Sequence, residues 1–110
     1  MKRILYIAAW AAAALIVLLY LGLPAGFGLF AVLPGQTEVG DPPEGFEAVT
    51  LHTKDGVALQ GWYHPPQNGA VIVLLHGAGG SRADTRPYAQ MLVGNGYGAL
   101  LFDQRGHGTS

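Results

Sequence analysis

Residues 70–80, Ala-Val-Ile-Val-Leu-Leu-His-Gly-Ala-Gly-Gly, decide the fold. Six apolar residues run without interruption and stop at a glycine-rich loop. A run this short suits a strand covered on both faces, as in a parallel sheet. The next pattern is helical and spans residues 85–94. Asp84 or Thr85 can cap it, Pro87 is tolerated in its first turn, and Tyr88, Met91 and Leu92 fall on one inward face. Asn95-Gly96 supplies the left-handed residue that ends such a helix. A second short apolar strand, Gly-Ala-Leu-Leu-Phe at 98–102, follows and closes at Asp103. Strand, helix and strand at this spacing make a βαβ unit.

Upstream of it, residues 47–53 (Glu-Ala-Val-Thr-Leu-His-Thr) alternate, with Val49 and Leu51 on one side. Residues 57–63 (Val-Ala-Leu-Gln-Gly-Trp-Tyr) form a second run, and Lys54-Asp55-Gly56 lies between the two. Asp-Gly between two such runs predicts a β-hairpin, because its turn needs a residue that tolerates positive φ. Residues 34–45, Pro-Gly-Gln-Thr-Glu-Val-Gly-Asp-Pro-Pro-Glu-Gly, have no apolar period and read as an exposed linker.

The first 33 residues are of another kind. From Ile4 to Leu23 no residue is charged, and Lys2 and Arg3 precede the run. As a helix it would span roughly 30 Å, the hydrocarbon thickness of a bilayer. The positive end predicts a cytoplasmic N-terminus, and hence an extracytoplasmic remainder. Pro24 is expected to interrupt the helix. A cleaved signal peptide is the competing reading, but the apolar stretch is long for one and Leu23-Pro24-Ala25 is a poor small-x-small site. The organisation expected is a transmembrane anchor over 1–33, a linker over 34–45 and a sheet-forming domain over 46–110, with the lipid bilayer as partner of the anchor.

Charge and composition exclude several functions. Residues 35–110 hold four basic against seven acidic side chains, a net charge of −3. No basic stripe exists to neutralise phosphates, so no nucleic-acid partner is expected. The absence of cysteine removes disulfides, thiolate metal sites and a catalytic thiol. The four histidines lack the spacing of metal ligands, and neither a metal nor a cofactor is expected.

Three segments in order resemble the α/β-hydrolases. They are the hairpin Thr53–Tyr63, the loop Leu75-His76-Gly77-Ala78-Gly79-Gly80-Ser81 after an apolar strand, and Asp103-Gln104-Arg105-Gly106-His107-Gly108-Thr109-Ser110 after the next. Together with the N-terminal apolar helix they are similar to membrane-bound, serine aminopeptidase-like and esterase-like members. The resemblance implies an α/β fold whose sheet order is first hairpin strand, second hairpin strand, 98–102, 70–75. The last of these is left at an open edge. It also implies acyl transfer to water from an ester, amide or peptide substrate. In the family the loop after the third strand gives a backbone N–H to the oxyanion hole, and the matching position here is Ala78, with Gly79 as second candidate. Fixed N–H dipoles stabilise the charge that develops on the carbonyl oxygen, and glycines let the backbone come close to it.

The 110 residues contain no Gly-x-Ser-x-Gly. In the family the Ser, Asp or Glu, and His follow one another beyond the segment matched here. The resemblance therefore implies that the chain is the N-terminal part of a hydrolase and is inactive by itself. Asp103, His107 and Ser110 have the composition of a triad, but they belong to one turn, and Asp103 is expected to accept N–H groups of that turn. Ser81 reads as a cap and His76 as a structural residue of its loop. Two other classes remain. One is a dinucleotide-binding βαβ module with Gly77, Gly79 and Asp103, which lacks the third glycine because position 82 is Arg. The other is a non-catalytic membrane protein or gene remnant.

Overall fold

Pro24 does not end the N-terminal helix. In the computed structural model, which describes residues 1–110, helix α1 (Lys2–Val17) passes through a single π turn (Leu18–Gly22) into α2 (Leu23–Val32). The expected stop at Leu23 is corrected by this turn. A proline has no N–H to give and its ring crowds the carbonyl four residues back. The turn ahead of Pro24 widens, so that the Leu23 N–H reaches Leu18 O, and the helix runs on. The 31 residues Lys2–Val32 form a helix long and apolar enough to cross a membrane, as an anchor or a signal sequence would.

Residues Pro34–Ser110 form a second compact unit. Its main sheet holds β2 (Glu47–His52), β3 (Ala58–His64), β4 (Val71–Leu75) and β5 (Gly98–Phe102) in the order β2-β3-β5-β4. The β2–β3 and β3–β5 pairs are antiparallel and β4–β5 is parallel. This is the order the resemblance implied, with β4 at the edge. The hairpin turn sits at Lys54-Asp55-Gly56, where Gly56 has φ +84° and Thr53 N–H meets Val57 O at 3.0 Å.

A 3-10 turn (Arg82–Thr85) leads into helix α3 (Arg86–Gly94). The helix ends as its sequence predicts: Gly96 is left-handed at φ +88°, Gly96 N–H reaches Val93 O at 3.0 Å and Tyr97 N–H reaches Leu92 O at 3.1 Å. Its inward face differs from the expected one. Ala89 is buried and Val93 packs on the core, while Tyr88 and Met91 are exposed, at 61% and 59%. The helix begins at Arg86, one residue later than the pattern suggested, and Thr85, Ala89, Leu92 and Val93 form its more buried stripe.

The core lies on one side of the sheet: Val39, Trp62, Ala89, Ala99 and Leu101, with Phe46, Leu74, Ala83 and Val93 against it. Ile72 and Leu74 of β4 share that side with Ala99 and Leu101, their register partners. The other side is bare. Val71, Val73 and Leu75 are exposed at 40%, 54% and 57%, so β4 is covered on one face and not on both as its continuous apolar run predicts.

The stretch expected to be an exposed linker is also corrected. β1 (Gly35–Gln36) pairs in parallel with β6 (His107–Gly108), and Thr37 N–H donates to Gly108 O at 3.0 Å. Val39 joins the core, and Asp41 O accepts from Arg86 Nη2 at 2.8 Å. One backbone ladder, one side-chain bond from Arg86 and one apolar anchor hold the segment that composition alone describes as polar and loose.

Candidate functional site

The loop after β4 is built by its glycines and by His76. Gly80 N–H donates to Gly77 O at 3.1 Å, closing a β-turn over Ala78 and Gly79. Gly79 stands third in the turn with φ +75°, the conformation that a type II turn requires there and that a side chain disfavours. At Gly80 a Cβ would meet the Asp84 carboxylate and displace it from the Ser81 N–H that it accepts. Ala78 and Gly79 are exposed, and neither N–H has an acceptor within the protein. Adjacent, exposed, unpaired N–H groups are the kind of donor that an anion or a polarised carbonyl oxygen uses.

His76 is buried behind the loop, and both ring nitrogens are engaged. Nδ1 lies 2.8 Å from Gly77 O, which can only accept, so Nδ1 carries the proton. Nε2 accepts from Gln104 N–H at 3.0 Å. The Gln104 side-chain amide adds a bond from Nε2 to His76 O at 2.7 Å. The ring of His107 stands 5.2 Å from that of His76, centroid to centroid, and its Nδ1 is 3.0 Å from Arg105 O.

A second cluster centres on Asp103, which is fully buried. Its carboxylate accepts Arg82 N–H on Oδ1 and, on Oδ2, Thr109 N–H at 2.9 Å and the Arg82 guanidinium. The expected bond to its own turn is present, at Thr109; the ion pair with Arg82 has no counterpart in the sequence pattern. Gly108 passes so close to this carboxylate that no side chain fits there. The guanidinium carbons of Arg82 and Arg86 lie 4.9 and 5.2 Å from the Trp62 ring centre. Both Nε atoms are buried without an oxygen acceptor, and the indole face is the electron-rich surface left to them.

The structure does not bring a triad together from these residues. Ser110 Oγ accepts Gln60 N–H and donates to Asp103 O, each at 2.8 Å. His107 faces His76, and Asp103 is saturated by Arg82 and Thr109. Ser81 caps the 3-10 turn: its N–H donates to Asp84 Oδ2 at 3.0 Å. His64 packs on Phe46 at 5.2 Å, and His52 has no side-chain bond to another residue. Asp103 is equally closed to a ribose hydroxyl, which removes the acid that a dinucleotide site at this position needs. No three His, Cys, Asp or Glu side chains group as a metal site would. An open cleft of about 390 Å³ lies between Gln36, Thr37, Glu38, Gly108 and Thr109, and neither Ala78 nor Gly79 lines it.

At the surface, Arg105 Nη2 reaches both carboxylate oxygens of Asp55, at 2.8 and 2.7 Å. The Thr53 hydroxyl, first, and the Arg105 guanidinium, second, lower the Asp55 carboxyl from 3.8 to about 2. This contact ties the hairpin turn to the loop after β5.

No known protein-family profile matches the chain. It is 32% identical over 87 residues to the uncharacterized protein YfhR of Escherichia coli K12, covering 74% of this chain and 31% of that protein. It is 38% identical over 63 residues to the uncharacterized protein Rv2307c of Mycobacterium tuberculosis H37Rv, covering 54% of this chain and 22% of the relative. The chain thus spans about a third of the length of YfhR. Among solved structures, the esterase Pf2001 of Pyrococcus furiosus superposes with a TM-score of 0.61 at 32% identity, over 71% of this chain and 32% of that one. A second crystal form of that esterase gives 0.60 at 34% identity. The Pro34–Ser110 unit, with its mixed sheet and one covering helix, therefore has an esterase-like, hydrolase-type fold over the part the two proteins share.

Proposed function

We propose that the chain contributes the oxyanion-binding part of a serine hydrolase held at a membrane by its N-terminal helix. The observation that carries this reading is the turn Gly77–Gly80. It leaves the exposed Ala78 N–H and Gly79 N–H with no internal acceptor, directly after β4, the edge strand that pairs in parallel with β5 in an esterase-like sheet. In acyl transfer the carbonyl oxygen of an ester or amide becomes an alkoxide-like anion as the nucleophile adds. Ala78 N–H, with Gly79 N–H beside it, donates to that oxygen and lowers the barrier. A second donor and the attacking serine come from residues outside this segment, since the 110 residues hold no Gly-x-Ser-x-Gly. β4, exposed along Val71, Val73 and Leu75 and unpaired on its outer side, is the edge on which further strands of such a sheet would add. The substrate is a small ester, amide or peptide.

The helix is read as an uncleaved anchor because its apolar stretch is long for a signal peptide and Leu23-Pro24-Ala25 is a poor small-x-small site. The positive charge of Lys2 and Arg3 ahead of the apolar run supports a cytoplasmic N-terminus with the hydrolase part outside.

The test is the protein expressed from its own gene. A fluorophosphonate probe should label it on a serine within a Gly-x-Ser-x-Gly encoded beyond Ser110, and the labelled protein should resist carbonate extraction from membranes. Labelling at Ser81 or Ser110 would remove the assignment of the nucleophile. A product that hydrolyses no p-nitrophenyl ester and takes no label would remove the hydrolase reading.

A further inference from the structure

We propose that Gln104 is a positioning residue for the oxyanion loop, acting through His76. The inference rests on the oxyanion reading of Ala78, but its geometry stands separately.

The peptide between Gly77 and Ala78 is planar and trans, like every peptide in the chain. Its carbonyl and its N–H therefore point in opposite directions. Gly77 O is held by two donors, His76 Nδ1–H at 2.8 Å and Gly80 N–H at 3.1 Å. With the carbonyl fixed inward, the Ala78 N–H is fixed outward. The direction of the candidate donor thus depends on both bonds, and one of them requires His76 to present a proton on Nδ1.

Gln104 decides that in turn. Its main-chain N–H points at Nε2, so Nε2 must keep a lone pair and the proton must sit on Nδ1. The side-chain amide then takes His76 O at 2.7 Å. A main-chain bond to the ring and a side-chain bond to the carbonyl of one residue make a two-point clamp. It prevents His76 from turning and prevents the end of β4 from shifting along its axis. The clamp joins the loop after β4 to the loop after β5, and the second loop is itself anchored by Asp103 on Arg82 and by Arg105 on Asp55. A glutamine suits this position: it needs a neutral donor long enough to cross between loops, and a carboxylate would repel the carbonyl it must bind.

The experiment uses the protein from its own gene in lipid nanodiscs, with histidine, alanine and glycine labelled with ¹⁵N, beside the Gln104→Met and Gln104→Glu variants. In the parent, long-range proton–nitrogen spectra should show His76 as a single neutral tautomer with the proton on Nδ1. The variants should keep that tautomer, since the main-chain donor remains, yet shift the Ala78 and Gly79 amide signals. Against p-nitrophenyl acetate they should lose about tenfold in kcat with KM changed by less than about twofold, the signature of a donor misaligned only for the transition state. A His76 ring protonated on Nε2, or averaging between tautomers, overturns the proposal. So do variants whose Ala78 and Gly79 amides stay in place, even where stability falls, because that result leaves Gln104 a purely structural contact. A parent with the expected spectra but no esterase activity removes the hydrolase reading and leaves the positioning intact, so the two failures are distinguishable.

Discussion

Asp103 and Arg82 show how one pair of residues organises a loop. Neither is on the surface, and each is held by main-chain groups as well as by the other. Removing one partner strands the other: Asp103→Asn leaves a buried guanidinium without its counter-charge and should cost about 3–5 kcal/mol. In so small a unit that loss should appear as collapse of protease resistance. Adding Arg82→Met, which replaces the charge by an apolar chain that still lies on Trp62, should recover much of it. At the candidate donors, Ala78→Pro deletes the N–H and should lower kcat on an ester by about 10²-fold or more, with little change in KM. Ala78→Gly, which keeps the N–H, should leave kcat near the parent value. Asp55 carries a pH prediction. Its folded carboxyl titrates near 2, below its ordinary value of 3.8, so its contact with Arg105 contributes fully above the ordinary value and fades as the pH falls through about 2. Carbon-13 titration should show Arg105→Ala raising the Asp55 value only partway, because the Thr53 hydroxyl is the larger cause.

The strand β4 separates what an apolar run says from what packing does with it. Leu74 packs against the core, and Val73 next to it is exposed on the other face. In the 110-residue chain Leu74→Ala should cost about 2 kcal/mol or more, and Val73→Thr no more than about 0.5 kcal/mol. Denaturant titration of the two variants checks the contrast. A longer protein in which further chain covers this face would make Val73→Thr the costlier change, by the desolvation of a hydroxyl. Helix α1–α2 shows the same separation in another form. Its composition predicts a span and a break at Pro24; the π turn absorbs the proline, and roughly 46 Å of helix results.

As a whole, the Pro34–Ser110 unit keeps its core on one side of a four-stranded sheet under a single nine-residue helix. An uncovered apolar face and an unpaired edge are costly features in water. Prepared alone, this unit should bind a hydrophobic dye such as anilinonaphthalene sulfonate and melt over a broad range. A sharp, reversible melt without dye binding would show that one covered face suffices.

Much of this molecule was legible in the order of its residues. The Asp55-Gly56 hairpin, the Asn95-Gly96 helix end, the strand at 98–102 and the glycine-rich loop that ends the strand before it depend on local conformational preference, which sequence carries directly. The apolar N-terminal run likewise states its own length and lack of charge. Three features depended on tertiary structure. Tyr88 and Met91 are outside because α3 turns its Ala89 and Val93 side to the core. The segment 34–45 is docked because β6 offers it a ladder and the core a place for Val39. Arg82, Trp62, Asp103 and Gln104 form the frame behind the loop because three distant stretches meet there. Such contacts between residues 20 to 40 positions apart have no periodicity to announce them, and only the folded chain sets their partners.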